Sequence, residues 1–308
     1  MKFRILLVAL LFSTLNIFSQ NISGIINSYA IVNSINTNTV CVSTTAGFAV
    51  GDKVMIIQMK GANITTANNA TFGNITAYNS AGQYEFNYIG AINGLCVSLT
   101  CPLINTYNLT GAVQLIRVPV YANAVVTNTL TAQAWNGTTG GVLAFESTNL
   151  TFNSDINVDA LGFRGGAFAQ GGFCCSSNNF VTNSVAGGQK GEAIAAYVAG
   201  QDGSKGKNAN GGGGTNCGNS GGGGGANGGA GGLGGNQYNG CGPGDQGVGG
   251  INLTYPSPAV LYLGGGGGGG FRDNGQIATA VVMVGLLYLL FPIKSRVTIE
   301  LFLPEVQM

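Results

Sequence analysis

The apolar positions of this chain fall into three rhythms. Residues 21–120 carry short runs of Val, Ile and Tyr separated by Asn, Gly, Thr and Ser: "SYAIVNSI", "NTVCVS", "DKVMIIQMKG", "QYEFNYIGAI", "CVSLT" and "VQLIRVPVY". β-branched and aromatic runs of this length, bounded by turn residues, predict strands. No 3.6-residue apolar period accompanies them, so the region is expected to be a small all-β barrel or sandwich. The stretch "AGFAVGDKVMIIQ" predicts a turn feeding a buried strand.

Residues 121–166 change rhythm. Val142, Leu143 and Phe145 form one apolar group, Leu150 alternates with Phe152, and Ile156 with Val158. Strand follows strand with little room for hairpins. Repeated inward aliphatics with Asn, Gly and Thr corners predict parallel β-helix-like coils, each burying its inner face against the next. The competing reading is an ordinary β-sandwich continuing from the first domain.

From 167 to 276 glycine dominates. Residues 161–275 hold 41 of the 54 glycines, so this part is either a linker or a backbone packed too closely for side chains. The closer reading is a bundle of extended, polyproline-II-like segments that touch and bond sideways. The interspersed cysteines, Tyr238, Pro243 and "INLTYPSPAVLYL" favour that ordered form. Within it, "GGQKGEAIAAYVAG" predicts a helix, with Glu192 in its first turn and Gly200 as its stop.

The two ends differ from everything between. "MKFRILLVALLFSTLNIFSQ" has a basic head, an apolar stretch from Ile5 to Phe12 and a polar exit, the pattern of a secretory signal peptide over residues 1–20. The chain then ends in "IATAVVMVGLLYLLFPIKSRVTIELFLPEVQM". Read one base earlier, so that the last base of each codon joins the first two of the next, the junction of Met283 and Val284 must encode Gly. With permitted third bases, residues 280–292 become GGNGGIIIFIISN, a natural continuation of the glycine run. Residues 277–308 are therefore expected to be a frameshifted tail beginning near Ile277. The alternative is a membrane anchor over 277–293, at the short limit for a spanning helix.

Composition narrows the chemistry. The chain has 308 residues, 7% charged, a net charge of +1 and no His. A Ser-His-Asp or Cys-His mechanism is excluded, and no basic patch points to nucleic acid. No cofactor motif is present: "GSKGKN" lacks the Ser or Thr that a phosphate loop places after its Lys. Without His or a CxxC pair, a zinc site is not expected either. Export makes the seven cysteines candidates for disulfides. Cys96 and Cys101 are spaced to close a small loop. Cys174 or Cys175 can bridge to Cys217 or Cys241, which would staple the glycine-rich region. Asp155 and Asp159 share one face if "DINVDAL" is extended, the minimum for a carbohydrate-active β-helix enzyme, a lyase or glycosidase. Glu146 and Arg164 would join such a cleft. The plainer expectation is two solvated corner residues. Trp135, the sole tryptophan, is either a sugar-stacking platform near Tyr121 or a buried lid on the first coil, and the lid is expected.

The blocks "GDKVMIIQMKGANI", "FGNITAYNSAGQYEF", "GAVQLIRVPVY", "LTAQAWNGTTGGVLAFES", "LGFRGG", "GGQKGEAIAAY" and "GGNQYNGCG" occur in that order. Over about residues 21–276 they resemble the N-terminal region of large secreted proteins of Flavobacterium-type Bacteroidota. Those proteins carry a gliding-motility-associated, type B sorting domain for type IX secretion. The resemblance implies export to the cell surface, use of that secretion machinery at full length, and a non-enzymatic adhesin-like role with no catalytic residue to transfer. Surface polysaccharide or another cell-surface component is the implied partner. The chain departs from the pattern in ending before a sorting domain. The glycine-rich half is also similar, in composition alone, to glycine-rich extracellular domains of some animal receptor kinases.

Overall fold

The computed structural model describes residues 19–172, 179–183, 187–237, 244–254 and 260–273, with the backbone of 286–287. The signal-peptide reading, Cys174, Cys175, Cys241 and nearly all of the 277–308 tail lie outside the described residues. The described chain is mainly β. In order the strands are β1 (Gln20–Ile25), β2 (Tyr29–Asn36), β3 (Thr39–Val42), β4 (Lys53–Gln58), β5 (Asn63–Ile64), β6 (Ile75–Ala77), β7 (Tyr84–Asn93) and β8 (Cys96–Leu99). Then come β9 (Val113–Arg117), β10 (Val120–Thr131), β11 (Val142–Leu143), β12 (Glu146–Phe152), β13 (Ala169–Gln170), β14 (Phe271–Arg272) and β15 (Leu286–Leu287). Among the described residues no helix is long and apolar enough to cross a membrane.

Six strands close a barrel in the order β2-β3-β8-β7-β4-β9, and they are the six runs legible in the sequence. β4 shows why its run is unbroken rather than alternating. Val54 and Ile56 fill the barrel interior with Val40, Val97 and Leu115. Met55 and Ile57 face outward, yet they are buried in a second core with Trp135, Phe163, Ile194 and Leu263. A strand covered on both faces reads as a continuous apolar stretch. The turn before it uses Gly47 and Gly51 at φ +81° and +92°, a region that L side chains rarely adopt.

β1, β10 and β12 form a separate, wholly parallel sheet. β1 thus pairs outside the barrel, and the barrel is inserted between β1 and β10. Val120 lies opposite Glu146 and Val126 opposite Phe152, an offset of 26 residues. The same offset recurs at Leu130 and Ile156 and at Trp135 and Leu161. Ile22, Val126, Leu130, Leu143, Phe145 and Val158 pack inside this stack. Phe152, expected to alternate inward with Leu150, is 56% exposed at the end of the last strand of the sheet.

The glycine-rich region is ordered by its backbone. Phe271, Gly268 and Gly265 donate to the carbonyls of Ser220, Gly223 and Ala226. Gly221 and Gly224 donate to Gly235 and Gly232, Gly234 and Gly231 to Gly247 and Gly250, and Gly247 and Gly250 back to Gly221 and Gly224. Each step is three residues, the period of a polyproline-II helix, which has no internal hydrogen bonds and must bond sideways. The last three sets close a ring of three segments. A Cβ on Gly191 would stand 1.8 Å from the Gly266 oxygen, and one on Gly212 2.0 Å from that of Gly223.

Two expectations are corrected. Residues 187–200 form no helix: the N–H groups of Gly188, Gln189, Gly191 and Glu192 bond sideways to Thr215, Ala167, Gly212 and Arg164. Gly188 and Gly191 pack too tightly against neighbouring carbonyls for a helix to coil there. Cys96 bonds to Cys41, not to Cys101. The antiparallel register of β3 and β8 sets Cys41 directly opposite Cys96. Cys101, beyond the end of β8, is free and exposed, with its backbone held by the Asn87 amide. Cys217 is disulfide-bonded, and the other cysteines of that region are outside the described residues.

Gly212→Ala should lower the unfolding free energy by about 3 kcal/mol, because a carbonyl, not a movable side chain, stands in the way. Gly228→Ala, with nothing within 4 Å, should change it by less than about 1 kcal/mol. Urea unfolding of the two variants checks this contrast.

Candidate functional site

The segment 187–195 carries two buried charges, Lys190 and Glu192, with Gly191 between them. Glu192 is 2% exposed and sits where barrel, parallel stack and glycine bundle meet. Lys60, just after β4, reaches Oε1 at 2.5 Å. Arg164 Nε donates to Oε2 at 2.9 Å and Arg164 N at 3.2 Å. Trp135 Nε1 donates to Oε2 at 3.0 Å. Burial alone would raise the Glu192 carboxyl, but Arg164, Lys60 and Trp135 outweigh it and hold it below its ordinary value. The Arg164 guanidinium is raised in return, chiefly by its hydrogen bond to Glu192.

Apolar packing frames this centre. Trp135 and Phe163 meet edge to face with centroids 5.7 Å apart. The Lys60 ammonium lies 5.6 Å from the Phe163 ring centroid and 6.0 Å from that of Trp135. Gly61 and Ala62 both donate to the Ile194 carbonyl, so the barrel exit is tied to the bundle by main chain as well as by charge.

Lys190 is fully buried and points the other way. Its ammonium donates to the carbonyls of Phe180 (2.7 Å), Ser204 (3.0 Å) and Gly206 (2.8 Å). It lies 4.6 Å from the Phe72 ring centroid. Three acceptors match the three N–H bonds of an ammonium. Burial pushes Lys190 down to about 7, opposed by Asp202. Burial also lowers Lys205 and Lys207.

Of the residues singled out in the sequence, Trp135 and Arg164 share one partner, Glu192; no hydrogen bond joins Asp155, Asp159 or Glu146 to them. Asp155 and Asp159 are both exposed, and the stretch between them makes a single bridge, Ile156 to Leu130, before a turn with Ala160 at φ +58°. Glu146 pairs with Lys53 and Arg164 with Glu192. Trp135 is 2% exposed, with its indole N–H on Glu192. Among the described residues no group of three acidic or sulfur ligands could hold a metal ion. Glu192 is not legible as a centre, since its partners lie far away in sequence. Lys60 is 132 positions from Glu192 and Trp135 57. Chemically the arrangement fastens: the Glu192 carboxylate takes five hydrogen bonds, and the Lys190 side chain ties three carbonyls together.

Glu192→Gln should cost about 3 kcal/mol, chiefly the penalty for leaving the largely buried Lys60 without its counter-charge, with little from the exposed Arg164. Amide hydrogen exchange should quicken at Gly61, Ala62 and 189–194 before it does inside the barrel. For Lys190, the folded-state value lies below the unfolded one. Between pH 7 and about 10 the unfolded chain therefore holds more protons, and stability rises with pH. Lys190→Met should flatten that rise by up to about 1.4 kcal/mol per pH unit, read from urea unfolding between pH 7 and about 9.5, below the tyrosine range.

No family model matches the chain, and no curated protein does. Two solved structures are similar over part of it. One is the Gp54 tailspike of Acinetobacter baumannii bacteriophage AP22 in complex with A. baumannii capsular saccharide. The two share 13% identity over 47% of this chain and 25% of that one, at a TM-score of 0.23. The other is the tailspike protein gp49 from Pseudomonas phage LKA1, with 15% identity over 45% of this chain and 27% of that one, at a TM-score of 0.21. The chain thus spans about a quarter of each tailspike, at TM-scores too low to carry an argument about fold or function.

Proposed function

We propose that this chain is a non-enzymatic structural or adhesive module, the N-terminal part of a larger exported protein that is secreted or displayed at the cell surface. On this reading the 26-residue stack is a set of parallel β-helix-like coils, with the barrel as an insertion and the glycine bundle as a buttress. Its partner is a surface polysaccharide or another cell-surface component, and type IX secretion would carry the full-length protein. The observation that carries the reading is the saturation of the buried charges. Glu192 and Lys190 hold segments together rather than facing a cleft. The Cys41–Cys96 bond supports export, because disulfides persist in oxidising compartments. The exposed Asp155 and Asp159 lack the shared, partly buried setting that raises one carboxyl of an acid–base pair.

Incubation of the purified protein with neutral and acidic surface polysaccharides tests this. Retention in an affinity gel with no new reducing or unsaturated ends is the expected result. Turnover that disappears in the Asp155→Asn/Asp159→Asn double variant would replace the module with an enzyme.

A further inference from the structure

Two cations share one carboxylate where barrel, stack and bundle meet. Lys60 and Arg164 both bond to Glu192, whereas Lys53 meets Glu146 and Arg117 meets Asp52 one to one. The junction therefore holds one positive charge more than Glu192 neutralises. Lys60 does not present that charge to solvent. Its side chain is 14% exposed, and its ammonium lies against the Phe163 and Trp135 rings. Arg164 does present it, with 53% of its side chain exposed.

The guanidinium is held still while it faces water. Nε and Nη2 donate to Glu192 at 2.9 and 3.4 Å, and Nη1 donates to the Asn136 carbonyl at 3.2 Å. Asn136 is itself fixed, since its side-chain oxygen accepts from Thr138 N, Thr138 Oγ1 and Thr139 N. Gly137 makes room: a Cβ there would stand 2.7 Å from Nη2, 2.9 Å from Cζ and 3.1 Å from Nη1. Of the guanidinium's N–H bonds, one remains on each of Nη1 and Nη2. Those two nitrogens form the outer fork of an arginine, which matches the two oxygens of a carboxylate. A fork fixed beforehand loses little freedom on binding.

We infer that Arg164 is a docking point for the carboxylates of an acidic polysaccharide, a polymer that contains uronic acids. The inference rests on the surface-module reading and narrows its partner from polysaccharide in general to one that bears carboxylates.

Polygalacturonate and its methyl ester, run in affinity gels with the full chain, separate charge from sugar. Polygalacturonate should retain the parent and the ester should not, and retention should weaken as salt rises. Arg164→Gln and Arg164→Lys should each weaken retention by about tenfold or more, the lysine because a point charge lacks the fork. Arg117→Gln, which removes the same charge elsewhere, should bind as the parent does. Equal retention by polymer and ester would overturn the inference, and so would undiminished retention of either Arg164 variant. Binding to neutral polymers alone would overturn it and leave the surface module standing. Retention by no polysaccharide would overturn it and remove the polysaccharide partner from that reading as well. The ester comparison needs no variant and decides the matter if the Arg164 variants do not fold.

Discussion

Everything in the second half of this molecule depends on the missing Cβ. Segments without side chains can approach until one backbone's N–H meets another's carbonyl, three residues at a time. No apolar layer separates them, so hydrogen bonds and close backbone packing replace the usual oily core. The replacement is demanding. Ordering glycine costs about 0.5–1 kcal/mol more per residue than ordering alanine, and each amide bond returns a net of about 1 kcal/mol. The arrangement is stable only if nearly every lateral bond forms, which explains why the bundle needs firm boundaries.

The barrel and the parallel stack supply those boundaries. The outer face of β4, with Met55 and Ile57, presses on Trp135, Phe163, Ile194 and Leu263, so one apolar core is shared by all three parts. Glu192 sits in the middle of that core because five donors arrive there together. A bundle made of main chain also exposes many carbonyls inward. Lys190 takes three of them, which an apolar residue could not do. Buried cations in this protein are thus a consequence of building with backbone.

How much of this the sequence declares follows from the range of the interactions. The barrel strands are legible because alternation and β-branching are local, and each of the six runs sits where the pattern puts it. The sideways-bonding reading of the glycines is also available, because chain chemistry leaves such density few options. The helix expected at 187–200 fails for the opposite reason. Its Ala, Ile and Glu favour a helix only while neighbours are ignored, and at Gly188 and Gly191 neighbouring carbonyls decide. Nearness along the chain pairs Cys96 with Cys101, whereas strand register chooses Cys41. The Glu192 centre is hidden because its donors come from residues 60, 135 and 164.

The same long-range logic bears on function. Trp135 illustrates it: alone in the sequence, and near Asp155 and Asp159 along the chain, it invites a sugar-binding reading. Its indole N–H is already engaged by Glu192, and its ring by Phe163. To offer that ring to a ligand, the chain would have to open the junction of its three parts, breaking an ion-pair network and a shared core at once. The interior is thus committed to holding the three parts together, while polar side chains of the parallel stack, Asn149 and Thr151 among them, face solvent.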